Sequence, residues 1–218
     1  MNTLLKNLNH VNGADLILFE YAEKVLTEFE GPLYGCEMGI AYGGGVEGIG
    51  VLWKDRGTIY GFDTFEAMHP THLATDPALF EATCMQYWYD SPEYGKEGLA
   101  YDYQRKTLDG LGLDNVILVK GEVHPESCKD IPYLNYAFLD MDILFSMKQG
   151  YAAVKDKVVK DGYLFLHDTH NIESLKEWYK ADVLGTDGEM WEEIGNWPSS
   201  MLVCLKRTNR NMPASQTP

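Results

Sequence analysis

The chain has 218 residues, is 45% hydrophobic and carries a formal net charge of −15, with no Lys/Arg stripe to relieve it. That length allows one full domain core, and the charge argues against nucleic acid or an anionic membrane surface as a partner. No stretch approaches the ~20 apolar residues of a membrane span, residues 1–6 show no signal-peptide pattern, and Cys36, Cys84, Cys128 and Cys204 form no C-x-x-C pair, so a reducing, cytoplasmic setting is expected.

Residues 1–32 read as an N-terminal helical segment. Leu18, Tyr21, Ala22, Val25, Leu26 and Phe29 recur at helical spacing over 14–30, Glu20 and Lys24 pair at i,i+4, and Gly31-Pro32 ends the run. This helix could serve a homodimer contact. A buried strand over Leu33–Cys36 then enters Glu37-Met38-Gly39-Ile40-Ala41-Tyr42-Gly43-Gly44-Gly45, which opens a helix over 44–54. A second strand, 58–63, ends in Gly61-Phe62-Asp63-Thr64-Phe65. Residues 66–98 break the rhythm with loop residues and a dense aromatic run, Tyr87-Trp88-Tyr89; they read as a substrate lid inserted on the ligand side. A helix over 98–110 leads to Gly112, and a third strand, Asn115 to Lys120, closes on Gly121-Glu122. A fourth strand, Tyr136 to Asp140, is followed by a long helix with Met147, Tyr151, Val154 and Val158 on one face, stopped at Asp161-Gly162. A fifth strand, Tyr163 to Asp168, a helix over 171–181 and two strands, 190–195 and 201–206, complete a domain over 33–208; 209–218 has a disordered composition. Strands alternating with helices predict an α/β doubly wound, Rossmann-like sheet.

Two stretches fit together as one site. Gly39 and Gly43, with small Ala41 between them, suit a tight turn that lets backbone approach a nucleoside. Asp63 follows at about the spacing of an acid that binds ribose hydroxyls in a nucleotide-binding βαβ unit. The loop is not G-x-G-x-x-G, and Glu37 stands just before its first glycine. A carboxylate there repels a pyrophosphate and suits a cationic amino-acid group, which favours S-adenosylmethionine (SAM) over NAD. An NAD-dependent oxidoreductase and a non-catalytic SAM-binding protein remain the alternatives.

A second group of acids follows strands four and five: Asp140 with Asp142, and Asp168 flanked by His167, Thr169 and His170. Neighbouring parallel strands bring such ends together, and clustered carboxylates repel unless protonated or bridged by a cation. A divalent ion such as Mg²⁺ takes oxygen ligands of this kind, with Asp140, Asp168 and Thr169 as candidates, whereas a histidine ligand shifts preference toward a transition metal. Such an ion suits methyl transfer to oxygen, because it binds a hydroxyl and lowers its pKa. Candidate bases are His69, His72, His124, His167 and His170; Asp140, His167 and His170 form the candidate catalytic set.

The blocks Tyr34-Gly35-Cys36-Glu37-Met38-Gly39, Ile59 to Glu66, Leu118-Val119-Lys120-Gly121, Phe138-Leu139-Asp140-Met141-Asp142 and Gly162 to Thr169 resemble class I SAM-dependent methyltransferases. The nearest branch is the macrocin O-methyltransferase type, which includes metal-dependent sugar O-methyltransferases. The resemblance implies a sheet of seven strands whose last is antiparallel. It puts Glu37 and Gly39 near the methionine part of the cofactor, Asp63 on the ribose and Gly121-Glu122 near the adenine. The implied cofactor set is Glu37, Gly39, Ala41, Asp63, Thr64, Gly121, Glu122 and Asp140, with Asp140 and Asp168 as metal ligands and a sugar or glycoside hydroxyl as acceptor. The branch tends to have two consecutive acids after strand five, where this chain has Asp168-Thr169, and an aromatic soon after L-D-x-D, where it has Ile143-Leu144-Phe145.

Overall fold

A computed structural model describes residues 13–65 and 100–208. The expected lid, with His69 and His72, lies outside the described residues, as do residues 1–12 and the tail from 209. In chain order the elements are α1 (Gly13–Glu28), β1 (Leu33–Met38), α2 (Gly44–Trp53), β2 (Gly57–Asp63), α3 (Tyr101–Leu111), β3 (Val116–Lys120) and β4 (Leu134–Leu139). Then come α4 (Leu144–Val154), β5 (Val158–His167), α5 (Glu173–Trp178), β6 (Trp191–Trp197) and β7 (Leu202–Arg207). The strands form one seven-stranded sheet in the order β3-β2-β1-β4-β5-β7-β6. β1 to β5 run parallel, and β7, the last strand, lies antiparallel between β5 and β6. The order reverses between β1 and β4, which makes their carboxyl ends the switch point where ligands settle on open α/β sheets.

Strand alternation sends successive side chains to opposite faces. Leu33, Ile59, Tyr136, Phe138, Tyr163 and Phe165 pack in one core with α1 and α2. Cys36, Met38, Phe62, Ala137, Leu139, Leu164 and Leu166 pack in the other with α4 and α5. The first core is drawn tight by glycine: a Cβ on Gly48 of α2 would lie 2.1 Å from the Phe19 ring of α1. The Trp53 indole N–H also donates to the Ala22 carbonyl at 2.9 Å, fixing α1 on α2. Burying Leu18 and Phe19 here contributes about 2–3 kcal/mol each.

The helix expected to run on to Asp161 stops at Val154. Val158, expected on its face, begins β5 instead and pairs with Leu134. The next pair is Tyr163 with Tyr136, so β5 carries extra residues across a bulge in which Asp161 takes a left-handed φ of 63°. β-branched Val158-Val159 suits a strand better than a helix, and the Asp161-Gly162 pair that reads as a helix stop is the bulge. After strand five, the helix expected over 171–181 is α5, which continues as π-type turns over Tyr179–Thr186.

Candidate active site

The alternation that builds the core also builds the site. Glu37, Asp63, Asp140 and His167 continue the inward series Leu33-Gly35, Ile59-Gly61, Tyr136-Phe138 and Tyr163-Phe165 at the carboxyl ends of β1, β2, β4 and β5. Glu37 is level with Phe138, and Phe138 with Phe165. All four polar side chains therefore project from one face of the sheet, at its switch point. The backbone there is unusual. Six non-glycine residues among those described have positive φ, and four of them (Ala41, Phe65, Asp142 and Asp168) follow β1, β2, β4 and β5. Each such residue costs of order 1–3 kcal/mol, and such strain concentrates at functional sites.

Glu37 is 4% exposed, and its Oε2 has no hydrogen-bond partner among the described residues. Burial raises its pKa well above the ordinary carboxyl range, and Asp15, Asp140 and Asp63 raise it further. Its carboxylate fills the space a Cβ on Gly45 would take: Oε2 lies 2.3 Å from that point. Gly39 has a similar role toward backbone. Its φ is +86°, and a Cβ would lie 1.9 Å from the Asp140 carbonyl oxygen. The sequence alone suggests close approach by a ligand at this glycine; the structure shows that the closest neighbour is the loop after β4.

Asp63 joins the two loops. Its Oδ2 accepts the Ala41 N–H at 3.2 Å, and its Oδ1 accepts the Phe65 N–H at 2.8 Å and, more distantly, the Thr64 hydroxyl at 3.5 Å. Burial raises its pKa, and N–H groups of Phe65, Ala41 and Ile40 work the other way. The Gly121 N–H donates to the Asp63 carbonyl at 2.9 Å, and a Cβ on Gly121 would meet nothing within 4 Å. Exposed Gly121 and Glu122 thus follow directly on the contact with Asp63.

Asp140, His167 and Asp168 come together. His167 Nδ1 lies 2.9 Å from Asp140 Oδ1 and 3.2 Å from Asp168 Oδ2. It makes no directed hydrogen bond to either. One donor atom from each of the three lies within 4.8 Å of the others. Burial disfavours the charged imidazole, but Asp140 and Asp168 outweigh it and raise its pKa to about 11. Burial likewise opposes ionisation of Asp168, yet His167, Asp142 and Asn171 beside it hold it down at about 2. Burial pushes the Asp142 carboxyl well up, and Asp140 and a hydrogen bond with Asp168 raise it further. Thr169 Oγ1 and His170 Nε2, beside the cluster in sequence, are buried with no hydrogen-bond partner. His124 is exposed, and its Nδ1 is 2.8 Å from Ser127 Oγ in a local pair.

The three donors suit a divalent ion. Neighbouring ligands on an octahedral ion with bonds of 2.0–2.1 Å stand about 3 Å apart, close to the His167–Asp140 and His167–Asp168 spacings. A ring whose pKa is raised to about 11 holds a proton that an ion would have to displace to take the nitrogen as a ligand.

Two groups are invisible to sequence reasoning. Gln104 of α3, 3% exposed, donates from Nε2 to the Ala41 carbonyl and packs against Gly43. Nothing in its spacing marks it, because the contact spans 63 residues. Asp15, 7% exposed at the start of α1, stands within electrostatic reach of Glu37. His167, a candidate base by sequence, stands between Asp140 and Asp168. The parallel patterns Phe138-x-Asp140 and Phe165-x-His167 carry the signal, since strand period 2 puts both on one face.

No family model matches the chain, and no curated protein matches it by sequence. Solved structures do. The O-methyltransferase NovP superposes with a TM-score of 0.72 at 17% identity, over 90% of this chain and 80% of that one. The calicheamicin methyltransferase CalS11 gives 0.59 at 19% identity, over 94% and 83%. A candidate methyltransferase of Streptococcus mutans, SMU.1697c, solved in complex with SAH, gives 0.57 at 11%, over 91% and 99%. The fold is that of class I SAM-dependent methyltransferases, down to the antiparallel last strand.

Proposed function

We propose that this chain transfers a methyl group from SAM to a hydroxyl of a small molecule, a sugar or glycoside, with help from a divalent ion. The observation that carries the reading is the row of Asp63, Glu37, Asp140 and His167 on one face of the sheet at its switch point, on a methyltransferase fold. CalS11, in its apo form, is described as a TDP-rhamnose 3'-O-methyltransferase, which supports the sugar acceptor.

SAM carries an ammonium, a sulfonium and two ribose hydroxyls. Glu37 faces the first of these in our reading, directly or through water; its buried Oε2 lacks a partner, and a cation would restore its charged form. Asp63 takes the ribose hydroxyls. Two backbone N–H groups already orient its carboxylate, so it is positioned before a ligand arrives. Gly121 and Glu122 border the adenine, and Ala41, Gly39 and Thr64 complete the cradle. In the transfer, the acceptor hydroxyl gives up its proton, its oxygen bonds to the methyl carbon, and the S–C bond breaks with its electron pair left on sulfur, giving SAH. His170, whose Nε2 has no hydrogen-bond partner, is assigned to receive the proton. Asp140, His167 and Asp168 would hold the divalent ion, which supplies a Lewis acid that lowers the acceptor pKa. Thr169 lines the same corner.

Calorimetric titration with SAM, SAH and NAD⁺ tests this. Saturable binding of SAM and SAH without NAD⁺ is expected, followed by methyl transfer to a nucleotide sugar or glycoside. Binding of NAD⁺ in place of SAM would overturn it. The acidic charge keeps nucleic acid and anionic membrane out of the proposal. A cytoplasmic homodimer belongs to the same reading and is checked by sedimentation; among the described residues no helix is long and apolar enough to cross a membrane.

A further inference from the structure

We infer that His167 makes the Asp140–His167–Asp168 centre a site for a first-row transition ion in place of Mg²⁺. The inference rests on the proposed metal assistance and goes beyond it in naming the class of ion and the residue that selects it. Mg²⁺ takes oxygen ligands in a strict octahedron and gives up water reluctantly. Imidazole nitrogen is a ligand of Fe²⁺, Co²⁺, Ni²⁺ and Zn²⁺, whose affinities for a mixed N/O site exceed that of the hard ions. Here the nitrogen is not peripheral. His167 Nδ1 is the atom common to both short contacts, 2.9 Å to Asp140 and 3.2 Å to Asp168. It is also the one donor of the three that is buried without a directed hydrogen bond.

The surroundings give the ring little freedom. His167 is the last residue of β5, paired with Leu202 of β7, and its ring meets Phe138 edge-on with centroids 6.2 Å apart. Moving the ring out of this position would break that contact. Asp142 contributes no atom to the group of donors within 4.8 Å of one another. The ligand set is thus one nitrogen and two carboxylate oxygens, with remaining positions open to water or an acceptor hydroxyl.

The test is metal binding by the full chain, apart from turnover. Protein stripped with a chelator is dialysed against micromolar Co²⁺ with millimolar Mg²⁺, and bound metal is counted by mass spectrometry. Near one equivalent of Co²⁺ is expected, with visible d–d bands shifted from those of aqueous Co²⁺ by nitrogen ligation. His167→Asp restores an all-oxygen set and should shift the Co²⁺/Mg²⁺ ratio toward Mg²⁺ by at least ~10-fold, the loss that even an outer partner of a ligand can cost. His167→Gln, a neutral replacement, guards against misfolding and should lose the nitrogen-induced shift of those bands. Mg²⁺ occupancy in the wild type, or an unchanged ratio in both variants, overturns the inference while metal assistance stands. Absence of both ions from a wild-type protein that still binds SAM by calorimetry overturns the inference and the metal together, and leaves the methyl-transfer reading intact.

Discussion

The two ends of the parallel strands follow opposite rules. At the amino ends, polar side chains are matched to backbone. Arg56 donates to the carbonyls of Leu26, Phe29 and Gly31 at the end of α1. Asn115 donates to Gly50 and Gly57, Asn135 accepts from Tyr34, and Lys157 donates to Lys129 and Ile131. At the carboxyl ends the groups are carboxylates and histidines gathered against one another. Glu37 Oε2, His167 Nδ1, Thr169 Oγ1 and His170 Nε2 are buried there without hydrogen-bond partners among the described residues, whereas the amino end has Asn115 Oδ1 and Arg207 Nε in that state. The left-handed residues Ala41, Phe65, Asp142 and Asp168 belong to the same carboxyl edge. One edge has been arranged for folding. The other keeps strain and unpaired polar atoms, which folding alone would remove.

That contrast can be broken or sharpened by substitution. The largest effect belongs to Gly39→Ala, which sets a Cβ against the Asp140 carbonyl in a left-handed conformation. A loss of roughly 3 kcal/mol or more is expected, measured by chemical denaturation. A loss near zero would mean that the two loops are free to part. Asp63→Ala should weaken SAM binding by more than about ten-fold, or ~1.4 kcal/mol, by calorimetry; unchanged affinity would reduce Asp63 to a loop brace. Glu47, 7% exposed in the first turn of α2, tests whether this edge carries charge at a cost in stability. Burial raises its pKa from 4.5 to about 7. The folded state therefore holds its proton more tightly than the unfolded state. Its contribution is fully present below about pH 4.5 and is lost as pH rises through 7. Glu47→Gln should be more stable than wild type at pH 8 by roughly 1–2 kcal/mol and nearly equal at pH 4; a destabilised variant at pH 8 would show the carboxylate to be matched after all. The smallest effect is at the amino edge. Tyr133→Phe removes a bond to the Pro32 carbonyl and should cost at most about 1 kcal/mol with SAM affinity unchanged. A change in affinity would erase the distinction between the edges.

Much of the carboxyl edge is legible in the amino-acid sequence. Glu37-x-Gly39, Asp63, Asp140 and Asp168 each close an apolar run, so each has to sit at a strand end. The fate of Val158 to Gly162 is not legible, because a helical spacing of Tyr151, Val154 and Val158 is compatible with a turn between the second and third. Nor is the purpose of Gly45, since the side chain it accommodates, Glu37, belongs to another element and reads from sequence as facing a ligand alone.

The sequence by itself determined the alternation of strands and helices, the acids at the strand ends and the cofactor they suit, because period, turn residues and charge are local properties. Only the tertiary structure decided that His167 stands between Asp140 and Asp168, that Gly39 yields its space to the Asp140 carbonyl, and that Gln104 holds the Ala41 loop. Those contacts depend on strand order and register, which bring residues tens of positions apart into direct contact, and strand order is fixed by how whole faces pack.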